Sequence, residues 1–177
     1  MPLVSSGRIV EDTYLHAGDD APITDRVSAL VSAERLLADA GAVANRSGRT
    51  GLVWPNNRPV SELAPYIERL SLVALVFPSF RDGRAYSQAR ILRERYHFRG
   101  ELRATGNILR DQFLFLQRAG FNSFDVRKAA DAMAFAEAVS RFSVFYQPAS
   151  DGSLTAFRRR LAGKAMSALA PKERSPA

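Results

Sequence analysis

Cysteine is absent from all 177 residues. That excludes disulfides, thiolate nucleophiles and cysteine-held zinc or iron–sulfur centres within this chain. Only two histidines occur, His16 and His97, too few for a multi-histidine metal site. The longest purely apolar run, residues 72–78, falls far short of the roughly 20 residues that cross a bilayer. The opening residues Met1-Pro2-Leu3-Val4-Ser5-Ser6-Gly7 lack a basic stretch leading into an apolar one. No secretory leader is expected, and the cytoplasm is the expected compartment. The phosphate-binding signature Gly-x-x-x-x-Gly-Lys-Ser/Thr, the dinucleotide signature Gly-x-Gly-x-x-Gly and the nucleophile elbow Gly-x-Ser-x-Gly are all missing. The chain therefore offers no sequence device for ATP, NAD or flavin, and no cofactor is expected.

What is present suits one globular domain with a core: 46% of the residues are hydrophobic. The net charge of +7 suggests nucleic acid until its distribution is inspected. From Arg158 onward there are six basic residues against one acid, whereas residues 1–157 carry 19 basic and 17 acidic side chains. The excess belongs to a tail, and the nucleic-acid reading weakens accordingly; the alternative is a solvated terminus.

Three segments are expected. Residues 1–25 read as extended, with a hairpin or edge strand around 8–15; residues 26–150 read as a single α/β domain; residues 151–177 read as a basic helix and tail. Within the domain, short apolar runs alternate with helical spacing. Strands are expected at 27–32, 50–54, 71–77, 100–105, 123–127 and 142–146. Helices are expected at 33–40 (stopped by Gly41), 59–70 (with Ser61 as a cap), 84–96, 108–119 (closed by Gly120), 129–141 and 154–169. Such alternation predicts a mainly parallel sheet with helical crossovers, either an open three-layer sheet or an incomplete (β/α) barrel. A closed eight-unit barrel typically needs about 250 residues.

Chemistry concentrates where strands hand over to helices, the edge at which α/β folds usually hold ligands. Phe77-Pro78-Ser79-Phe80-Arg81-Asp82-Gly83-Arg84 leads into a helix carrying Ser87 and Gln88, and Gly106-Asn107 leads into one carrying Asp111 and Gln112. If the preceding strands are neighbours, these loops lie side by side. Arg81, Asp82, Arg84, Ser87, Gln88, Asn107, Asp111 and Gln112, with Arg103 on the strand, are then candidates for holding a small oxyanion or a partner. The competing reading is that Asp82 caps its helix and the arginines are solvated or paired. If the strand at 100–105 is internal, Glu101 and Arg103 share a face and need partners. No catalytic residue is assignable.

The stretch Phe77–Arg90, together with Gly100-Glu101-Leu102-Arg103-Ala104-Thr105-Gly106, Arg110-Asp111-Gln112 and Arg118-Ala119-Gly120-Phe121-Asn122-Ser123-Phe124, resembles the bacterial family of domain of unknown function 934 over residues 25–150. Members of that family are labelled oxidoreductases of sulfite reduction, a label that rests on neighbouring sulfite reductase genes and implies a pathway more than an activity. Two positions depart from the family pattern. Ala119 stands where a Cys often precedes the Gly, and Asn107 stands where Asp is usual. The first of these disfavours any thiol mechanism. The resemblance implies an accessory protein of sulfite reduction whose partner is sulfite reductase or its electron donor. The residues alone leave open a stand-alone enzyme or sensor that binds sulfite or a phosphorylated metabolite, and a homo-oligomer that covers a sheet edge.

Overall fold

The computed structural model describes residues 2–19, 22–126, 129–140 and 144–169. The N-terminal segment carries edge strands within 8–16, near where a hairpin or edge strand is expected, and its hairpin starts earlier, at Leu3. β1 (Leu3–Ser5) and β2 (Arg8–Val10) form an antiparallel hairpin. Its turn residues Ser6 and Gly7 both have positive φ, 52° and 72°, the backbone that suits the twist of a two-residue hairpin loop. β3 (Leu15–His16) follows. The domain then runs through β4 (Ala29–Ser32), the short helices α1 (Ala33–Ala38) and α2 (Ala40–Ala44), β5 (Thr50–Trp54) and β6 (Leu70–Phe77). After these come α3 (Arg84–Arg90), β7 (Glu101–Gly106), α4 (Phe113–Arg118), β8 (Ser123–Asp125), α5 (Ala129–Ser140) and α6 (Ala156–Leu169).

Among the described residues eight strands join one sheet in the order β2-β1-β8-β7-β6-β5-β4-β3. From β3 to β8 the pairing is parallel, and only β1 runs against its neighbours β2 and β8. Consecutive parallel strands lie side by side, so crossovers of one hand place the intervening helices on one face. The main core forms there. Val31, Leu52, Trp54, Val73, Leu75, Phe77, Leu102, Ala104 and Phe124 project from the sheet toward Leu36, Ala85, Ala89, Leu92, Phe113 and Leu116 of the helical layer. Trp54, Phe77, Phe113 and Phe124 are fully buried, each worth about 1.5–3 kcal/mol on removal from water.

The opposite face is concave. β2 and β3 occupy the two edges of the sheet, yet only residues 11–14 separate them. Five Cα steps reach about 18 Å at most, whereas seven inter-strand spacings in a flat sheet come to about 34 Å. The sheet is curled, and the incomplete barrel, a half-barrel, is the architecture observed. Residues 11–14 cross its hollow, where Tyr14 packs with Leu30, Leu72 and Ala74 in a second, smaller core. A bulge adjusts the register: Thr50 faces Leu70 while Gly51 faces Leu72. The extra residue, Ser71, donates its hydroxyl to Thr50 O at 3.0 Å and accepts from the Tyr14 hydroxyl at 3.0 Å.

Several helices differ from expectation for identifiable reasons. The helix over 33–40 does not run to Gly41. Asp39 breaks it and caps a second helix, accepting from Ala42 N at 2.9 Å, so Gly41 lies inside α2. The single helix expected over 59–70 is two 3-10 turns, Val60–Leu63 and Ile67–Arg69. Pro65 sits between them and can supply no N–H, and Ser61 lies inside the first turn rather than capping a helix. The helix from Arg84 widens into a π segment over Ile91–Arg95, and the one expected from 108 begins as a 3-10 turn, Arg110–Gln112. Of the strand expected over 142–146, residues 142 and 143 lie outside the described residues, and Phe145 forms a single bridge with Thr155. Among the described residues no helix is long and apolar enough to cross a membrane.

Candidate functional site at the strand ends

β6 and β7 are adjacent and parallel, with Phe77 opposite Gly106, so their following loops do lie side by side. They are stitched together. Asn107 N donates to Phe77 O at 2.7 Å and Asn107 Nδ2 to Pro78 O at 2.6 Å. Gln112 Nε2 donates to Phe80 O at 3.1 Å while its Oε1 accepts from Leu109 N at 3.0 Å. Gly106 permits this approach: its φ is +94°, and a Cβ there would stand 2.5 Å from Phe77 O. Between the loops lies a cleft of about 390 Å³ lined by Pro78, Ser79, Phe80, Asn107, Ile108 and Leu109. Its rim is apolar and open: Phe80 and Leu109 are 47% and 43% exposed, and the Arg81 guanidinium stands over the Phe80 ring at 5.4 Å.

The other candidates on the first loop face elsewhere. Arg84 grips Asp82 through Nε (3.0 Å to Oδ1) and Nη2 (2.6 Å to Oδ2), and Asp82 Oδ1 also accepts from Arg84 N at 3.2 Å, holding the start of α3. This Arg84 pairing keeps the Asp82 carboxyl well below the usual carboxylate range and raises Arg84 in turn. Gln88 is buried. Its Nε2 donates to Pro55 O (3.3 Å) and Arg58 O (2.7 Å), the latter shared with Trp54 Nε1 (3.2 Å), so it pins the loop after β5 to α3. Among the described residues Gln88 Oε1 is buried without a hydrogen-bond partner. Ser87 and Asp111 are exposed. Burial and, secondarily, the charge of Asp111 push the Tyr86 phenol up to about 12.

Arg103 lies apart from the loops, inside the hollow of the half-barrel. β7 is internal, and Glu101 and Arg103 do share its concave face. Arg103 is only 3% exposed. It forms a fork on Asp12 (Nη1–Oδ2 2.7 Å, Nη2–Oδ1 3.1 Å) and reaches Glu101 Oε1 through Nε at 3.0 Å. Ser123 Oγ donates to the same Glu101 oxygen at 2.6 Å, and His16 Nε2 lies 3.3 Å from Asp12 Oδ2. Burial is the strongest single influence and works against the charge on Asp12, but the hydrogen bonds and charge of Arg103, with hydrogen bonds from Tyr14 N and His16, together outweigh it and hold the carboxyl below its ordinary value. Burial likewise opposes the Arg103 charge, and Asp12 and Glu101 more than offset it. Asp12 and Tyr14 complete this network from a segment that sequence reading treats as an extended lead-in, and a partner 91 residues away in the chain leaves no local signal. Arg81, Arg84 and Arg103 thus occupy three separate settings, while Asn107 lines the cleft and Gln112 braces its two loops. Among the described residues no group of three or more His, Asp or Glu side chains is placed to hold a metal ion.

The family model described as bacterial protein of unknown function (DUF934) matches residues 51–157. The chain belongs to the DUF934 family. The matched region starts in β5 and includes both strand-end loops and Arg103, while Asp12 and Tyr14 lie before it. No curated protein matches this DUF934 chain at a significant level.

Proposed function

We propose that this DUF934 protein is an accessory component of sulfite reduction that acts by recognition, docking on sulfite reductase or its electron donor through the strand-end edge. The observation that carries the recognition part is the cleft between the β6 and β7 loops. It is fixed by inter-loop hydrogen bonds to Asn107 and Gln112 and rimmed by the exposed Phe80 and Leu109, with Arg81 above. A rigid apolar rim beside an arginine is the composition that anchors partner side chains. Asp82, Arg84 and Tyr86, the ionisable groups that this edge perturbs, are all driven away from neutrality, Asp82 downward and the other two upward, whereas a general acid or base works best near the operating pH. The pathway part comes from the sulfite-reduction label carried by the family that the chain resembles.

Two measurements test the proposal. The tagged chain is expected to retain a sulfite-pathway protein on purification, and Phe80→Asp with Leu109→Asp is expected to abolish that retention without loss of folded protein. A deletion strain is expected to grow poorly with sulfite as sole sulfur source. Normal growth of that strain, with no sulfite-pathway protein co-purifying, overturns the proposal.

A further inference from the structure

The opposite edge of the sheet, where the parallel strands begin, holds a hollow of about 410 Å³ between the loops at 97–100 and 119–122 and the segment at 150–152. Two arginines line it, Arg93 and Arg99. Arg93 extends from the π segment and is half-buried. Its Nε donates to Gly120 O at 2.9 Å, and its Nη1 donates to Phe98 O at 2.5 Å and Gly100 O at 2.9 Å. Three neutral carbonyls therefore fix the fork in place. Among the described residues Nη2 has no protein partner, and neither Arg93 nor Arg99 forms an ion pair.

The nearby acids are already taken. Asp151, which also lines the hollow, pairs with Arg118 at 2.8 Å. Glu94 accepts from Arg90 at 3.3 Å and from Ser150 at 2.8 Å. The backbone is shaped around Arg93: Gly120 has φ +107°, and a Cβ there would meet Arg93 Cγ at 2.6 Å. Burial and the charge of Arg99 both act against the Arg93 charge, an unfavourable pairing that a negative ligand between them would relieve.

We infer that this hollow is a binding site for a small oxyanion, either free or as the phosphoryl or sulfo group of a small molecule, held between the fixed Arg93 fork and the exposed Arg99. Gln117 and Ser150, both lining the hollow, supply further hydrogen-bonding groups, and its volume lies within the range of small-ligand pockets. A bracing role for Arg93 explains its bonds to three carbonyls. It does not explain a second, exposed arginine placed beside it with no ion-pair partner among the described residues. The inference is independent of the accessory role, since it concerns the opposite edge of the sheet.

The test is thermal unfolding of the full chain titrated with sodium phosphate, sulfate or sulfite, with ionic strength held constant by chloride. A ligand bound only by the folded state raises the melting temperature with concentration. A rise is expected in the wild type and in Arg84→Ala. Arg99→Ala, which removes no hydrogen bond among the described residues, is expected to need at least tenfold more anion for the same rise, and Arg99→Lys to need less than Arg99→Ala. A larger rise with a sugar phosphate than with inorganic phosphate identifies the phosphorylated molecule as the ligand form. No rise with any of these anions, or a rise of equal size in Arg99→Ala, overturns the inference, because the ions then act elsewhere on the molecule.

Discussion

Arg103→Ala is expected to be among the most damaging single changes available in the hollow of the half-barrel. The side chain is 3% exposed and holds Asp12 and Glu101 together, whereas those two carboxylates keep 27% and 24% of their side-chain surface in contact with solvent. Removing one partner of a buried pair costs about 3–5 kcal/mol, because the other charge is left uncompensated. Partial exposure of the carboxylates lets water recover some of that, which places the cost near about 3 kcal/mol. For a chain of this size each kcal/mol moves the melting temperature by about 2–4 °C, giving a drop of about 6–12 °C. Asp12→Ala leaves Arg103 its bond to Glu101 and is expected to cost less, about 1.5–3 kcal/mol for the lost charged hydrogen bonds. The two changes share one interaction, so the double variant is expected to fall short of the sum by more than about 0.5 kcal/mol.

Acid supplies an independent check on the same pair. Asp12 has a folded-state pKa below its ordinary value, so its contribution is complete above the unfolded value of about 3.9. That contribution is lost as pH falls through the lower folded value. The stability gap between wild type and Asp12→Ala is therefore expected to hold from pH 7 down to about pH 5 and to close below about pH 4. Urea unfolding followed by circular dichroism measures each quantity. An Arg103→Ala variant within 0.5 kcal/mol of wild type, or a gap indifferent to acid, refutes the view that this network holds residues 11–14 across the hollow.

Gly106→Ala is expected to destabilise the protein by at least about 2 kcal/mol, since positive φ and a backbone clash add; the added methyl would lie 2.5 Å from Phe77 O, and an unfolding midpoint equal to wild type contradicts this. Gln88→Ala removes two hydrogen bonds to the loop after β5 and is expected to cost about 1–3 kcal/mol, with faster amide exchange at residues 55–58 as the local sign; unchanged exchange there shows that the loop is held by other contacts. Arg81→Ala changes a surface side chain on the open rim beside Phe80 and is expected to leave the melting temperature within experimental error while impairing growth on sulfite. Normal growth of that variant removes this side chain from the recognition surface.

Much of the sheet is legible in the sequence because β5 to β8 carry short apolar runs separated by helical spacing, and β6 is apolar at nearly every position as a strand covered on both faces must be. The curl is not legible. It follows from which strands become edges: the hairpin docks on β8 through contacts more than 100 residues apart, which obliges residues 11–14 to cross the hollow to reach β3. Helix boundaries failed where a single residue overrode the spacing: Pro65 split the segment at 59–70, and the Asp39 carboxylate started a new helix one residue before the glycine expected to end the old one.

The placement of Arg103 was readable by strand parity. In Glu101-Leu102-Arg103-Ala104-Thr105 the polar residues occupy alternate positions, and in a strand alternate residues share a face. Leu102 and Ala104 go to the helical core, so Glu101, Arg103 and Thr105 must all face the other way, into the hollow. A residue there cannot join the loops that begin after Gly106 unless the strand frays. Residue type alone groups Arg103 with Arg81 and Arg84 as one basic cluster, whereas parity separates it. Arg84 is separated by a different device, a carboxylate two residues upstream that captures its fork before any ligand can. Of the three, only Arg81 keeps its guanidinium on the open rim beside Phe80, and the strand-end edge is for that reason better suited to gripping a partner's side chains than to closing around a small anion.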